Sequence, residues 1–209
     1  MNPGKPYYQQ DRSEILQLLH EPPKKILDIG CGKGGVANML RSKYPGVQIV
    51  GFDKFVDQQF DYAAVFAEFH QVDLSAPWPE LDYTQFDHIL LLDVLEHLVD
   101  PDQALKSVKD RMRHDAKVVV SLPNFHAYGN LLEIVRTGRF QYRESGILDR
   151  THLRFYGQDD ARELLTQHFR IDEFVPHHLT PRSRVNKLAS VVLGEKYAAY
   201  QNLFLCSKK

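Results

Sequence analysis

An α/β fold, a largely parallel sheet with helices packed on both faces, is the class this sequence predicts. Three observations predict it. Five short apolar runs alternate with amphipathic stretches between residues 25 and 122. A glycine-rich bend, Gly30-Cys31-Gly32-Lys33-Gly34-Gly35, follows the first run directly and opens a helical pattern. The length of 209 residues fits one domain spanning 1–209, with no repeat or low-complexity tract to divide it.

The elements follow in order. Residues 1–24 form an N-terminal helical segment, with a helix over 7–20 carried by Ile15, Leu16, Leu18 and Leu19 and ended by Glu21-Pro22-Pro23. Strands are expected at Lys25–Ile29, Val47–Phe52, Phe69–Asp73, Phe86–Leu92 and Lys117–Leu122. Helices are expected between them at 34–43, 57–68 and 101–113, the last with Asp100 as N-cap and Pro101 at its first position. Residues 75–84 are too rich in proline for a helix. Regularity then fails over 123–157, which holds a helical NLLEIVRTGRF and an arginine- and aromatic-rich remainder. An excursion of that length inside a compact domain reads as a lid. A helix over 158–168 follows, with Asp159 and Asp160 at its positive end, then strands at 170–177 and 199–206 joined by a mixed segment at 181–196.

Composition sets the outer limits. Lys+Arg number 26 against 27 Asp+Glu, a formal charge of −1, with 43% hydrophobic and 25% charged residues. A near-neutral chain of this kind is not built as a duplex binder, so no nucleic-acid partner is expected. Cys31 and Cys206 have no disulfide or metal-ligand spacing. The start lacks the basic and apolar blocks of a secretory signal, and no window supplies a membrane span. The cytoplasm is therefore the expected compartment.

The chemistry concentrates at strand ends. The glycines let the backbone turn sharply and let a ligand approach where a Cβ would intrude. Gly30, Gly32 and Gly35 also satisfy the dinucleotide pattern GxGxxG, and Asp53 lies 21 residues past Gly32, where a ribose-binding acid belongs. Three acids separate the readings. Asp28, just before the bend, would meet a cationic ammonium and repel a pyrophosphate. Asp53, ending the second strand, suits ribose hydroxyls, and Asp73, ending the third, suits an exocyclic adenine amine. Together they describe a cofactor with an amine, a ribose and an adenine but no phosphate, which is S-adenosyl-L-methionine.

On these residues the chain resembles the class I S-adenosylmethionine-dependent methyltransferases. Asp28-x-Gly30-x-Gly32-x-Gly34 looks like the family's first motif, and Asp93-Val94-Leu95-Glu96-His97 looks like the element after the fourth strand, in a form similar to the small-molecule branch. Ile147–Tyr156 resembles an element of members found near sugar and polysaccharide biosynthesis. The resemblance implies a Rossmann-like seven-stranded sheet in the order 3-2-1-4-5-7-6 with the last strand antiparallel. It also implies cofactor binding by Asp28, Gly30, Cys31, Gly32, Gly34, Asp53, Lys54, Asp73, Leu74 and Asp93. Lys33 departs from the pattern; a lysine there is expected to point to solvent.

The acceptor end is read less directly. The expected reaction is methylation, at oxygen, of a sugar, lipid-linked or other anionic small molecule. Removing a hydroxyl proton suits a near-neutral histidine. His152 is the first candidate base, with His126, His97 and Asp93 in reserve; Glu96 and His97 also read simply as the start of a loop. Arg136, Arg139, Arg143, Arg150 and Arg154 face only Glu144 and Asp149 within their stretch. They read either as a solvated face with internal salt bridges or, through Arg143, Arg150, Arg154 and Tyr156, as an anion-binding site. His20, His88, His114 and His168 read as satisfied or surface residues, and the His177-His178 pair as no metal site; no metal is assigned anywhere. The alternatives are an NAD(P)-dependent oxidoreductase and a non-catalytic S-adenosylmethionine-binding protein.

Overall fold

The computed structural model describes residues 12–178 and 194–209. Seven strands form one sheet: β1 (Lys25–Ile29), β2 (Gln48–Asp53), β3 (Glu68–Gln71), β4 (His88–Leu92), β5 (Lys117–Pro123), β6 (Phe169–His177) and β7 (Gln201–Lys208). Their order is β3-β2-β1-β4-β5-β7-β6. The first five pair in parallel, and β7 runs antiparallel to both β5 and β6. Order and orientation agree with what the resemblance implies.

The central strands are central because they carry nothing that wants water. Every residue of β4, HILLL, is buried, and successive side chains go to opposite faces. Leu27, Ile29, Ile89, Leu91, Val118 and Val120 meet α2 (Pro101–Arg111) and α4 (Gln158–His168) on one face. Ile26, Ile49, Leu90, Leu92 and Val119 meet α1 (Gly35–Lys43) on the other. Asp100 caps α2 by accepting from Gln103 N at 2.9 Å, with Pro101 at the first position as expected. Asp160 caps α4 by accepting from Gly157 N at 2.8 Å.

Two sequence expectations are corrected. Where a helix was expected over 7–20, the described part is a 3-10 turn, Ser13–Leu18; residues 7–11 lie outside the described residues. Where a helix was expected over 57–68, only Tyr62–Ala64 makes a 3-10 turn, capped by the Asp61 carboxylate on Ala63 N and Ala64 N. Packing overrides helical propensity here: Tyr62 stacks on Phe69 with ring centroids 3.9 Å apart, Phe60 stands edge-on to Tyr62, and Val65 and Phe66 fill the space over Gly34 and Gly51. The mixed segment at 181–196 falls mostly outside the described residues; its end is the short helix α5 (Glu195–Ala198), numbered after α3 (Tyr128–Thr137) and α4.

The excursion 123–157 leaves the sheet and returns to the same point. Phe125 N donates to Tyr156 O at 2.8 Å, and buried Asn124 donates its amide to Lys196 O and Ala199 O, both at 2.8 Å. Within it α3 buries none of its residues and leaves Val135 81% exposed, so this helix lies on the surface. The insertion is thus pinned at its base, with α3 on the surface.

Gly34 tests the tightness of the bend. Its φ is +74°, and a Cβ there would stand 2.3 Å from Val65 Cγ1. Gly34→Ala is expected to lower stability by about 3 kcal/mol, combining left-handed strain with overpacking. Urea unfolding of the two proteins checks the value.

Candidate functional site

The β1–β2 and β1–β4 pairings set the site. Asp28 lies in register with Gly51 on β2 and Leu90 on β4, so the loops after all three strands open at one crest, on either side of the point where strand order reverses. The glycine bend is tied down there: Gly30 N and Cys31 N both donate to Phe52 O, at 2.7 and 3.1 Å. Gly30 turns at φ +76°, and a Cβ on it would strike Val94 at 2.5 Å, so the bend and the loop after β4 are in direct contact.

Asp28 sits 2% exposed beneath this bend, and its Oδ2 has no hydrogen-bond partner among the described residues. Burial, then the negative charge of Asp53, push its carboxyl up to about 7, against the opposing pull of Arg12. Cys31 is buried beside it, and burial with the nearby acids raises its thiol far beyond reactivity. Asp53 Oδ2 accepts from Gly32 N and its Oδ1 from Phe55 N, both at 2.8 Å. Each oxygen keeps a second lone pair.

Asp73 is engaged more fully than the sequence reading required. Its Oδ1 accepts from Ser75 N and Oγ, and its Oδ2 meets Lys54 Nζ at 2.8 Å across the ends of β2 and β3. Those donors, Lys54 first, hold its carboxyl far below the ordinary range. Leu74 packs against the core beside it. Lys33 does not simply point to solvent; it pairs with Asp57 and lies 5.8 Å over the Phe60 ring, which neutralises the one positive charge of the bend.

The loop after β4 carries the rest. Asp93 adopts φ +56°, and its carboxylate accepts from Arg12 at 2.6 Å, from Ser121 Oγ at 2.7 Å and from Gln201 Nε2 at 2.7 and 2.8 Å. Those bonds tie β4, β5, β7 and the N-terminal turn together, so Asp93 acts as a knot among elements, with no observation aiming it at the cofactor. Glu96 is 1% exposed, and neither carboxyl oxygen has a hydrogen-bond partner among the described residues. Burial, then Asp93, raise it well above the ordinary range. The excursion 123–157 meets this loop directly: Leu153 N and Arg154 N both donate to Glu96 O, at 2.8 and 3.1 Å. It brings His152, 5% exposed, edge-on to His97 with centroids 4.8 Å apart. Burial lowers the His152 pKa and keeps the ring neutral.

The other sequence candidates are distributed differently. His126 packs against Gly157, where a Cβ would stand 2.2 Å from its Nδ1, and against Tyr197, and so supports the lid's base. Arg143 pairs with Glu133, and Arg150 with Glu144. Arg154 donates to Leu98 O and Val99 O. The anion-binding reading of these three is therefore weakened: each has a partner within the protein. Tyr156 is buried with its hydroxyl lacking a hydrogen-bond partner among the described residues, in electrostatic reach of Glu96 and pushed up to about 12 by burial. His20, His88 and His168 pair with Glu173, Asp87 and Asp102, satisfied as expected. The sequence reading missed Glu96 as part of one cluster with His97 and His152, because the partners stand more than fifty residues apart.

The residues fit an adenosyl ligand with a cationic tail. A buried acid with an unpartnered oxygen lies under a bend that excludes side chains, beside a second acid with lone pairs to give. A cation is what that first acid lacks.

Comparison with known proteins identifies the family and the fold. Residues 6–168 match a family model described as a methyltransferase domain. Among curated proteins, the ubiquinone biosynthesis O-methyltransferase of Coxiella burnetii is 30% identical over 121 residues, covering 54% of this chain and 50% of its own. The protein of the same name from Chromobacterium violaceum is 28% identical over 125 residues, again covering 54% and 50%. The chain thus spans about half the length of these relatives. Of solved structures, a SAM-dependent methyltransferase from Archaeoglobus fulgidus superposes with TM-score 0.64 at 17% identity, over 94% of this chain and 91% of its own. Human N-acetylserotonin methyltransferase, in complex with SAM, gives 0.58 at 19%, over 90% and 48%. No helix among the described residues is long and apolar enough to cross a membrane.

The raised Asp28 carboxyl sets a pH dependence. Between about pH 4 and 7 the folded chain holds a proton there that the unfolded chain has lost, so this group's contribution to stability falls as pH rises through that window. Asp28→Asn removes the effect. The variant's stability relative to the parent is expected to climb from pH 4.5 to 7.5 in denaturant unfolding; parallel curves would show Asp28 ionised throughout.

Proposed function

The chain belongs to the methyltransferase-domain family, and from that premise we propose that it transfers a methyl group from S-adenosylmethionine to an oxygen of a small-molecule acceptor. The observation that carries the reading is the unpartnered, buried Asp28 oxygen under the glycine bend. Asp28 accepts from the ligand's ammonium, which supplies the counter-charge the carboxyl lacks. Asp53 accepts from the ribose hydroxyls with its second lone pairs. Asp73 and Leu74, at the end of β3, border the adenine, and Gly30, Gly32 and Gly34 let the backbone come close. A pyrophosphate in the same bend would face the Asp28 charge, which counts against the nicotinamide alternative.

Residues at the ends of β2 and β3 would hold the adenosine and Asp28 on β1 the amino-acid end, which would leave the β4 side for the acceptor. When bound, the cofactor supplies an electrophilic methyl on a sulfonium, open to in-line displacement. The protein's part is to orient the acceptor, exclude water beneath the lid and take charge of the hydroxyl proton. Glu96, His97 and His152 are the groups placed for that last task. Oxygen as the acceptor atom is supported by the relatives named O-methyltransferases. The element at 147–156 keeps sugar and lipid-linked hydroxyls beside phenolic ones as acceptor classes.

Two outcomes are expected. S-adenosylmethionine and S-adenosylhomocysteine raise the melting temperature and NAD does not, and Asp28→Asn weakens both ligands about thirtyfold, the loss of one buried charge pair of about 2 kcal/mol. With labelled methyl donor and a panel of catechol and sugar acceptors, His152→Ala lowers turnover about a hundredfold while S-adenosylhomocysteine binding holds. Stabilisation by NAD alone would overturn the reading.

A further inference from the structure

We propose that Glu96, His97 and His152 form a binding site for a divalent transition-metal cation. Among the described residues they are the one group of three such side chains whose ligand atoms lie within 4.8 Å of one another. Two nitrogens and one carboxylate are a donor set that suits zinc or iron and leaves positions open for a further ligand.

The hydrogen bonds around the cluster support the assignment. His152 Nδ1 lies 2.9 Å from Ile147 O, and His97 Nδ1 lies 3.2 Å from Thr151 O. A carbonyl only accepts, so each Nδ1 carries the proton and each Nε2 presents a lone pair. Metal-ligating histidines are held in this way, their outer nitrogen bonded to a backbone carbonyl or carboxylate. Two adjacent histidines fixed in the same tautomer, one buried and one half-buried, lose repulsion when a cation stands between them.

Glu96 is the independent second observation. It is 1% exposed, and both its oxygens lack a hydrogen-bond partner among the described residues. Arg12, which acts on Glu96 electrostatically, is bonded to Asp93. A buried carboxyl left so bare is costly, and a cation is the partner that would satisfy both oxygens. Tetrahedral ligation at about 2.1 Å places donor atoms roughly 3.4 Å apart. The half-buried His97 ring has the freedom to close the remaining distance.

The consequence rests on the methyltransferase reading. A cation here holds the acceptor's hydroxyl oxygen in an open position and lowers its pKa. The O–H bond breaks with its electron pair left on oxygen as the acceptor binds, and the proton passes to solvent water before water is excluded; Glu96, His97 and His152 thus govern the proton through the cation they hold.

The test uses the untagged full chain, stripped with chelator and titrated with Co²⁺ by visible absorption and with Zn²⁺ by calorimetry. One cation per chain is expected, with Co²⁺ d–d bands of a nitrogen-oxygen site. Because His152→Ala also removes the bond to Ile147, Glu96→Gln and His97→Ala carry the comparison. Each is expected to weaken binding by about a hundredfold, while S-adenosylhomocysteine still raises the melting temperature as in the parent. No stoichiometric cation, or affinity unchanged in both variants, overturns the site. Methyl transfer lost on stripping and restored by Zn²⁺ supports the acceptor role, and equal transfer in stripped protein overturns it. A cation that binds in a chain showing no methyl transfer leaves the site standing and removes the functional reading instead.

Discussion

A carboxyl taken out of water without a cation or a donor loses several kcal/mol of hydration, and it answers by keeping its proton. Asp28 and Glu96 are both in that position, on the loops and ends of neighbouring strands β1 and β4. Arg12 is the one guanidinium that acts on both, and its Nη1 is bonded to Asp93 at 2.6 Å. The crest of the sheet therefore holds more acid than base, in a protein whose charges balance almost evenly over its whole length. Local imbalance inside global neutrality is the mark of a site whose missing charge comes from its ligands. The cofactor as proposed would answer it over β1, and the proposed cation would answer it over β4.

The topology makes such a concentration possible. Parallel strands end on the same side, so acids that close β1, β2 and β3 fall side by side without any sequence proximity. The glycines then let the bend lie against Val94, Val65 and Phe66 with no side chain between. Water is excluded from Asp28 by this close approach, and the same exclusion raises its carboxyl. On the proposed reading, cofactor recognition and acid burial have one cause at this position.

What the sequence disclosed follows the range over which each signal acts. β1, β4 and β5 were legible because their apolar runs are local and continuous, and Asp28, Asp53 and Asp73 because strand ends in a parallel sheet share a register. The helix expected over 57–68 failed because its aromatic residues respond to distant partners, Phe69 and the open space over Gly34 and Gly51. For the arginines two readings stood open, and the pairing of Arg143 was hidden because Glu133 precedes the arginine-rich stretch. Glu96 and His152 are joined only by the path of the excursion, and no periodicity records where residues 123–157 come back.

That return path also explains why the acceptor side and the lid behave as one unit. Glu96 O accepts two lid amides, His97 Nδ1 reaches Thr151 O, and Arg154 reaches Leu98 O and Val99 O. Every one of these bonds links the loop after β4 to residues 151–154. The lid's other end is held at Asn124 and Tyr156, so the stretch between has little freedom to move without disturbing Glu96. By contrast α3, with no buried residue of its own, can move without breaking any of them. Motion is therefore expected of α3 and its flanks, while residues 147–156 stay docked and hold His152 in place. On the proposed reading, a lid divided in this way would admit a substrate over its outer half and keep His152 fixed in its inner half.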